Sequence, residues 1–107
     1  MLAKKYRLPV QKFLSQRSQA RRSDYFLLKI FSSTGTNSRF GVIISKHVQK
    51  SAAGRNRLKR LMFRFFQETQ GQIPRQDFLV IALPAAGRLI DYQEVNLELQ
   101  KLFGIYN

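Results

Sequence analysis

Residues 55–60, Arg-Asn-Arg-Leu-Lys-Arg, carry the chemistry this sequence can do. On a helix each residue advances by about 100°. Arg57, Arg60 and Arg64 then share one stripe, Asn56 and Lys59 flank it, and Arg55 lies near the edge of the apolar side. Leu58, Leu61, Met62 and Phe65 recur at i, i+3, i+4 and i+7 on the opposite side, the spacing of a buried stripe. Guanidinium groups suit phosphate, because the planar fork can hold two oxygens at once. Lys46, His47 and Lys50 precede the helix, where free backbone N–H groups and the helix dipole also favour an anion. The chemistry is recognition of a polyanion. Bond-breaking chemistry is hard to assemble. His47 is the single histidine, it sits beside Lys46, and it is far in sequence from any acid, so it reads as a phosphate contact rather than a general base. The chain has no cysteine, no Ser-His-Asp set, no metal-ligand spacing and no glycine-rich phosphate loop. No catalytic residue and no protein-bound metal are expected.

The charge distribution supports the same reading. The 107 residues carry a formal net charge of +13. Residues 1–64 hold sixteen bases and one acid, Asp24, whereas residues 65–107 hold three bases and five acids. Charge kept only for solubility is usually mixed in sign. Concentrating one sign costs self-repulsion that a polyanionic partner relieves. Nucleic acid is the expected partner; an anionic membrane surface and a merely solvated basic face are the alternatives. No apolar run approaches the roughly 18 residues of a membrane span, and the basic start of the chain is not followed by an apolar signal segment. A soluble cytoplasmic protein is expected.

The basic part also holds Phe13, Tyr25, Phe26, Phe31 and Phe40. A sheet face carrying rings and cations can stack unpaired bases and follow a backbone. Phe26 and Phe40 read as core; Phe13, Tyr25 and Lys29 stand equally well as core or as such a surface.

The elements that must position these residues follow from periodicity. Residues 1–9 read as an extended basic arm ending at Pro9, and 10–22 as a short basic helix or partly ordered tail. Residues 24–31 alternate as a strand, with Phe26, Leu28 and Ile30 on one face and Tyr25, Leu27, Lys29 and Phe31 on the other. Turn residues occupy 32–38, and 39–45 form a second strand, so the two are expected to pair as an antiparallel hairpin. The basic helix spans about 52–68 with Ser51 as its N-cap. Gly71 and Pro74 close that region, and 77–83 is the near-continuous apolar run of a central strand. A last helix runs from about 91 to 103, with Asp91 and Glu94 as a capping box. The order helix, strand, strand, helix, strand, helix describes an α/β (α+β) two-layer sandwich: one single RNA-binding domain, a single mixed sheet, and helices mainly on one face.

The run from Ser45 to Arg60, Ser-Lys-His-Val-Gln-Lys-Ser-Ala-Ala-Gly-Arg-Asn-Arg-Leu-Lys-Arg, resembles the signature of bacterial ribonuclease P protein subunits. Arg7-Leu8 followed by Phe13, the segment from Tyr25 to Leu28, and the segment from Asp77 to Ala82 are similar to the family's other elements. Gln49 and His47 depart from the glycine and lysine common there, and the N-terminal helix region is about two residues short. The resemblance implies a non-catalytic protein subunit of an endoribonuclease whose RNA removes the 5′ leader from precursor tRNA. Mg2+ is required by that RNA, and the protein has no activity of its own. The implied partners are ribonuclease P RNA and precursor tRNA, with the protein a monomer in the complex. It further implies a left-handed crossover around the basic helix, against the usual rule. Arg55, Asn56, Arg57, Lys59 and Arg60 would face the catalytic RNA, and Phe13, Tyr25 and Lys29 would line a leader cleft between the N-terminal helix and the sheet. The alternative is a small ribosomal or other structural RNA-binding protein. A protein nuclease lacks the clustered acids or histidines it would need, and a helix-turn-helix DNA reader lacks the short helix before the basic one.

Overall fold

The computed structural model describes residues 3–32, 35 and 37–105. Three helices, α1 (Val10–Phe13), α2 (Ala52–Thr69) and α3 (Tyr92–Phe103), accompany four strands, β1 (Gln19–Arg22), β2 (Phe26–Phe31), β3 (Arg39–Ile43) and β4 (Asp77–Ala82). The strands form one mixed sheet in the order β1-β2-β4-β3. β2 is antiparallel to both β1 and β4, while β3 runs parallel to β4.

Besides the basic arm, where Lys4–Tyr6 form a 3-10 turn instead of extended chain, two expectations are corrected. Residues 10–22 are not one helix: α1 lasts four residues and β1 follows it. All four residues of β1 are exposed, so it carries no apolar alternation, and backbone pairing to β2 defines it. The second correction concerns β2 and β3, which do not form a hairpin. The apolar β4 takes the central position between them. A parallel β3–β4 pair needs a long crossover, which α2 supplies. The turn expected over 32–38 lies partly outside the described residues.

The remaining elements fall within two residues of their expected bounds, for local reasons. The Ser51 side chain accepts the Gly54 N–H at 3.0 Å and starts α2. Asp91 and Glu94 complete a capping box on α3, and Gly104, at φ 74°, ends it in the left-handed conformation glycine adopts without penalty. Arg21 donates to the Leu102 carbonyl at 3.3 Å, tying β1 to the negative end of α3.

Two apolar clusters sandwich the sheet. The main one packs α2 and α3 on Phe26, Leu28, Ile30, Phe40, Phe78 and Val80. Its centre is aromatic: the Phe40 ring lies 4.8 Å from Phe66 and 5.7 Å from Phe63, and Phe103 lies 5.2 Å from both Phe65 and Phe78. The smaller cluster, on the other face, joins Leu8 and Phe13 to Phe31 and Leu79. Gly41 makes this second contact close. A Cβ there would come within 2.8 Å of Val10 Cγ2 and 3.1 Å of Leu8 Cβ, so α1 lies directly on the strand.

Candidate nucleic-acid interface

α2 is a regular helix over 18 residues, and its buried side contains Leu58, Met62, Phe65 and Phe66. The basic stripe is therefore held on a fixed rod. Asn56, Arg57, Lys59 and Arg60 are exposed on it. None of these three cations takes part in an ion pair among the described residues. Their internal contacts are to neutral groups. Arg57 donates to the Ile90 carbonyl, Arg60 to the Asn56 carbonyl at 3.4 Å, and Lys59 lies 5.6 Å from the Phe63 ring centroid. Asn56, Lys59, Arg60 and Phe63 line a groove on the helix side away from α3.

Two arginines of α2, Arg55 and Arg64, turn back into the protein. Arg55 donates through Nη1 to the Gln49 and Lys50 carbonyls, both at 2.9 Å. It thereby braces the loop that carries Lys46, His47 and Lys50, all exposed. Val48 plugs that loop into the main cluster, and Gln49 donates to the Gly87 carbonyl at 2.8 Å. A Cβ at Gly87 would lie 2.2 Å from the Val48 oxygen, so only glycine permits this approach. Arg64 bonds Glu68 at 2.9 Å and its guanidinium lies 3.9 Å from the Tyr92 ring centroid. Glu68 also accepts from the Tyr92 hydroxyl at 3.1 Å. These hydrogen bonds hold the Glu68 carboxyl below its ordinary range, that from Arg64 most strongly. Burial, then the bond to Glu68, pushes the Tyr92 hydroxyl up to about 12.

The second surface is the sheet face that α1 partly covers. Strand registers place Ala20, Lys29, Leu79 and Gly41 in one row and Arg22, Leu27, Ile81 and Ile43 in the next. Lys29 thus shares this sheet face, termed the trough, with the apolar Leu27, Ile43, Leu79 and Ile81. Phe13 borders it but is only 8% exposed, its ring packed edge-on to Phe31 at 5.1 Å. It forms a wall, not an open stacking platform. Tyr25 precedes β2 and packs against the main cluster instead of sharing the Lys29 face. Arg22 is the cation that sequence reasoning missed here. Its place beside Leu27 depends on β1, whose polar sequence gives no strand signal. Among the described residues, no group of three or more His, Cys, Asp or Glu could hold a metal ion.

The family model for ribonuclease P matches residues 4–107. The chain belongs to the ribonuclease P protein family. The ribonuclease P protein component of Vibrio vulnificus is 40% identical over 81 residues, covering 76% of this chain and 64% of that protein. The Synechocystis protein component is 34% identical over 94 residues, covering 87% and 75%. The chain thus spans slightly less than two thirds of the Vibrio protein's length. The fold agrees with solved structures of the family. The Staphylococcus aureus RNase P protein superposes with a TM-score of 0.82 at 20% identity over 94% of each chain. The Thermotoga maritima protein gives 0.81 at 22% identity, over 94% of this chain and 97% of that one.

Proposed function

We propose that this chain is the protein subunit of a ribonuclease P holoenzyme, acting in the cytoplasm as a monomer within the complex. It binds the catalytic RNA through α2 and the loop before it, and the 5′ leader of precursor tRNA on the Lys29 face of the sheet. The observation that carries the reading is the set Arg57, Lys59 and Arg60: exposed, unpaired with acids, and held on a helix whose opposite side is core. Such a row meets successive phosphates with little reorganisation, which is where a preorganised cation contributes most.

Catalysis follows from position and charge. Two RNAs brought together repel through their phosphates, and the cations lower that repulsion. The Lys29 trough offers an apolar floor to unpaired bases and cations at its rim, so a leader bound there holds the scissile bond in register with the RNA active site. Mg2+ belongs to the RNA in this scheme, and the protein moves no proton and forms no bond to substrate.

The test is reconstitution with a ribonuclease P RNA. The pure chain should cut nothing. The complex should remove the leader at a lower Mg2+ concentration than the RNA alone, and should hold precursor tRNA more tightly than mature tRNA. Equal affinity for the two tRNAs would remove the leader trough from the scheme. Tight binding to ribosomal RNA with no effect on leader removal would replace it with a structural RNA-binding role.

A further inference from the structure

The free edge of β3 links two basic groups that lie far apart in sequence. At one end, Asn56 and Lys59 belong both to the groove with Arg60 and Phe63 and to an adjoining hollow lined by Val42, Ile44 and Arg55. At the other end, the N-terminal arm meets the strand. Arg7 bridges Phe40, and the Leu8 N–H donates to the Phe40 carbonyl at 3.1 Å. Here Lys4, Lys5, Arg7 and Arg39 line a third hollow together with Leu8 and Pro9, and Tyr6 shares a fourth with Gln70 and Gly71 at the end of α2. From Lys59 to Gln70 is about 16 Å along the helix at its usual rise, with Phe63 and the uncharged Gln67 between. None of Lys4, Lys5, Arg7, Lys59 and Arg60 is in an ion pair among the described residues. Asp77, at this edge, is buried against Arg39, and Glu68 on α2 is bound to Arg64 and Tyr92.

We infer that this edge is one continuous RNA track, in which the arm cations Lys4, Lys5 and Arg7 extend the α2 surface and bind the same strand of the catalytic RNA. The inference rests on the proposed function and adds to it a site on the arm. Charge complementarity selects a polyphosphate occupant. The choice of catalytic RNA over leader follows from facing. Val42 and Ile44 pack on the main cluster, on the helix side of β3, whereas Gly41 and Ile43 face the leader trough on the other side. The arm crosses at this edge: Tyr6 packs on the helix-side cluster and Leu8 on the trough-side one. Arg7, between them, is exposed, as are Lys4 and Lys5 just before, with the Lys5 ammonium 5.0 Å from the Tyr6 ring centroid. An open strand edge invites pairing with other chains, and covering it with cations and RNA removes that hazard.

The chain has no cysteine, so single probes can be attached without background. Lys5→Cys and Lys59→Cys, each carrying tethered iron–EDTA, should cleave the same stretch of the catalytic RNA in the reconstituted holoenzyme. Replacing Lys4, Lys5 and Arg7 together by Ala should lower the log–log salt slope for binding that RNA by about 2–3, roughly 0.7–0.9 per lost phosphate contact. The ratio of precursor to mature tRNA affinity should not change. All three side chains are exposed, and an unchanged melting curve checks that the variant is folded. A Lys5 probe that cuts the leader, or nothing, overturns the track, as does an unchanged slope. Failure of the unmodified chain to bind the RNA would overturn the proposed function itself, a separate result.

Discussion

Arg39 grips both carboxylate oxygens of Asp77, Nε to Oδ1 at 3.0 Å and Nη2 to Oδ2 at 2.8 Å. The two are register partners at the start of the parallel β3–β4 pair. Asp77 is 1% exposed, and the Arg39 side chain, 34% exposed, lies over the Phe13 ring at 5.3 Å. One ion pair therefore fixes the crossover strands and supports the wall of the trough. Removing one partner of a buried pair strands the other charge, at about 3–5 kcal/mol. Because Arg39 is partly solvated, Arg39→Ala should fall near the lower end of that range in urea unfolding. A loss within experimental error would mean that Asp77 finds water or another donor.

Gly41 sets the height of α1 above the sheet. A larger side chain must displace Val10 and Leu8, which belong to the small cluster and not the main one. Gly41→Val should therefore lift α1 while leaving the α2–α3 core intact. Hydrogen exchange at the Leu8 and Lys12 amides, which bond the Phe40 and Pro9 carbonyls, should quicken by at least tenfold, with the amides of β4 little changed. Precursor tRNA should lose its advantage over mature tRNA. Uniform acceleration across the sheet would show that the two clusters are not separable.

The readable parts of this fold were those with a strong local period. α2 and α3 each bury one stripe and carry side-chain caps, and β4 is an apolar run. β1 was not readable, because an exposed edge strand needs no apolar residues; Gln19, Arg21 and Arg22 look the same in a tail. Strand order was not readable either. The spacing of β2 and β3 suits a hairpin, and only the requirement to bury β4 on both faces separates them. The same divide runs through the site. Helical spacing alone aligned Arg57, Lys59 and Arg60. It could not show that Arg55 turns back onto the 49–50 carbonyls or that Arg64 meets the Tyr92 ring, since loop path and α3 set those contacts; the Arg64–Glu68 pair, at i and i+4 on one helix, was open to that spacing and was missed.

Arg64 and the pair Arg57 and Arg60 should consequently behave differently. Arg57→Ala with Arg60→Ala removes two cations that have no acid partner among the described residues and should reduce the log–log salt slope for RNA binding by roughly 1.4–1.8. Arg64→Ala should leave that slope unchanged, because its guanidinium is already committed to Glu68 and Tyr92. It should instead loosen the α2–α3 contact, the ring contact alone contributing about 0.5–1 kcal/mol. Salt titrations of all three proteins against one RNA decide the matter; an equal slope change for Arg64→Ala would place that side chain on phosphate.

The Tyr92 hydroxyl gives the same cluster a pH signature. Its proton is retained to about 12, against an ordinary 10, through burial and its bond to Glu68. A group that binds its proton more tightly when folded stabilises the fold in full below the unfolded value, and that contribution disappears as pH climbs from 10 through about 12. Glu68, held low chiefly by Arg64, acts at the opposite limit: its contribution is present above the ordinary glutamate range and is lost as pH falls through the lowered value. Absorbance titration of tyrosinate should thus contain a late phase near 12, from one of the chain's four tyrosines. Tyr92→Phe should abolish that phase. Glu68→Gln should move it toward 10 without abolishing it, because burial, the larger cause, remains. A titration with no late phase would show that the hydroxyl is neither buried nor bound to Glu68, and would remove Tyr92 from the cluster that holds Arg64.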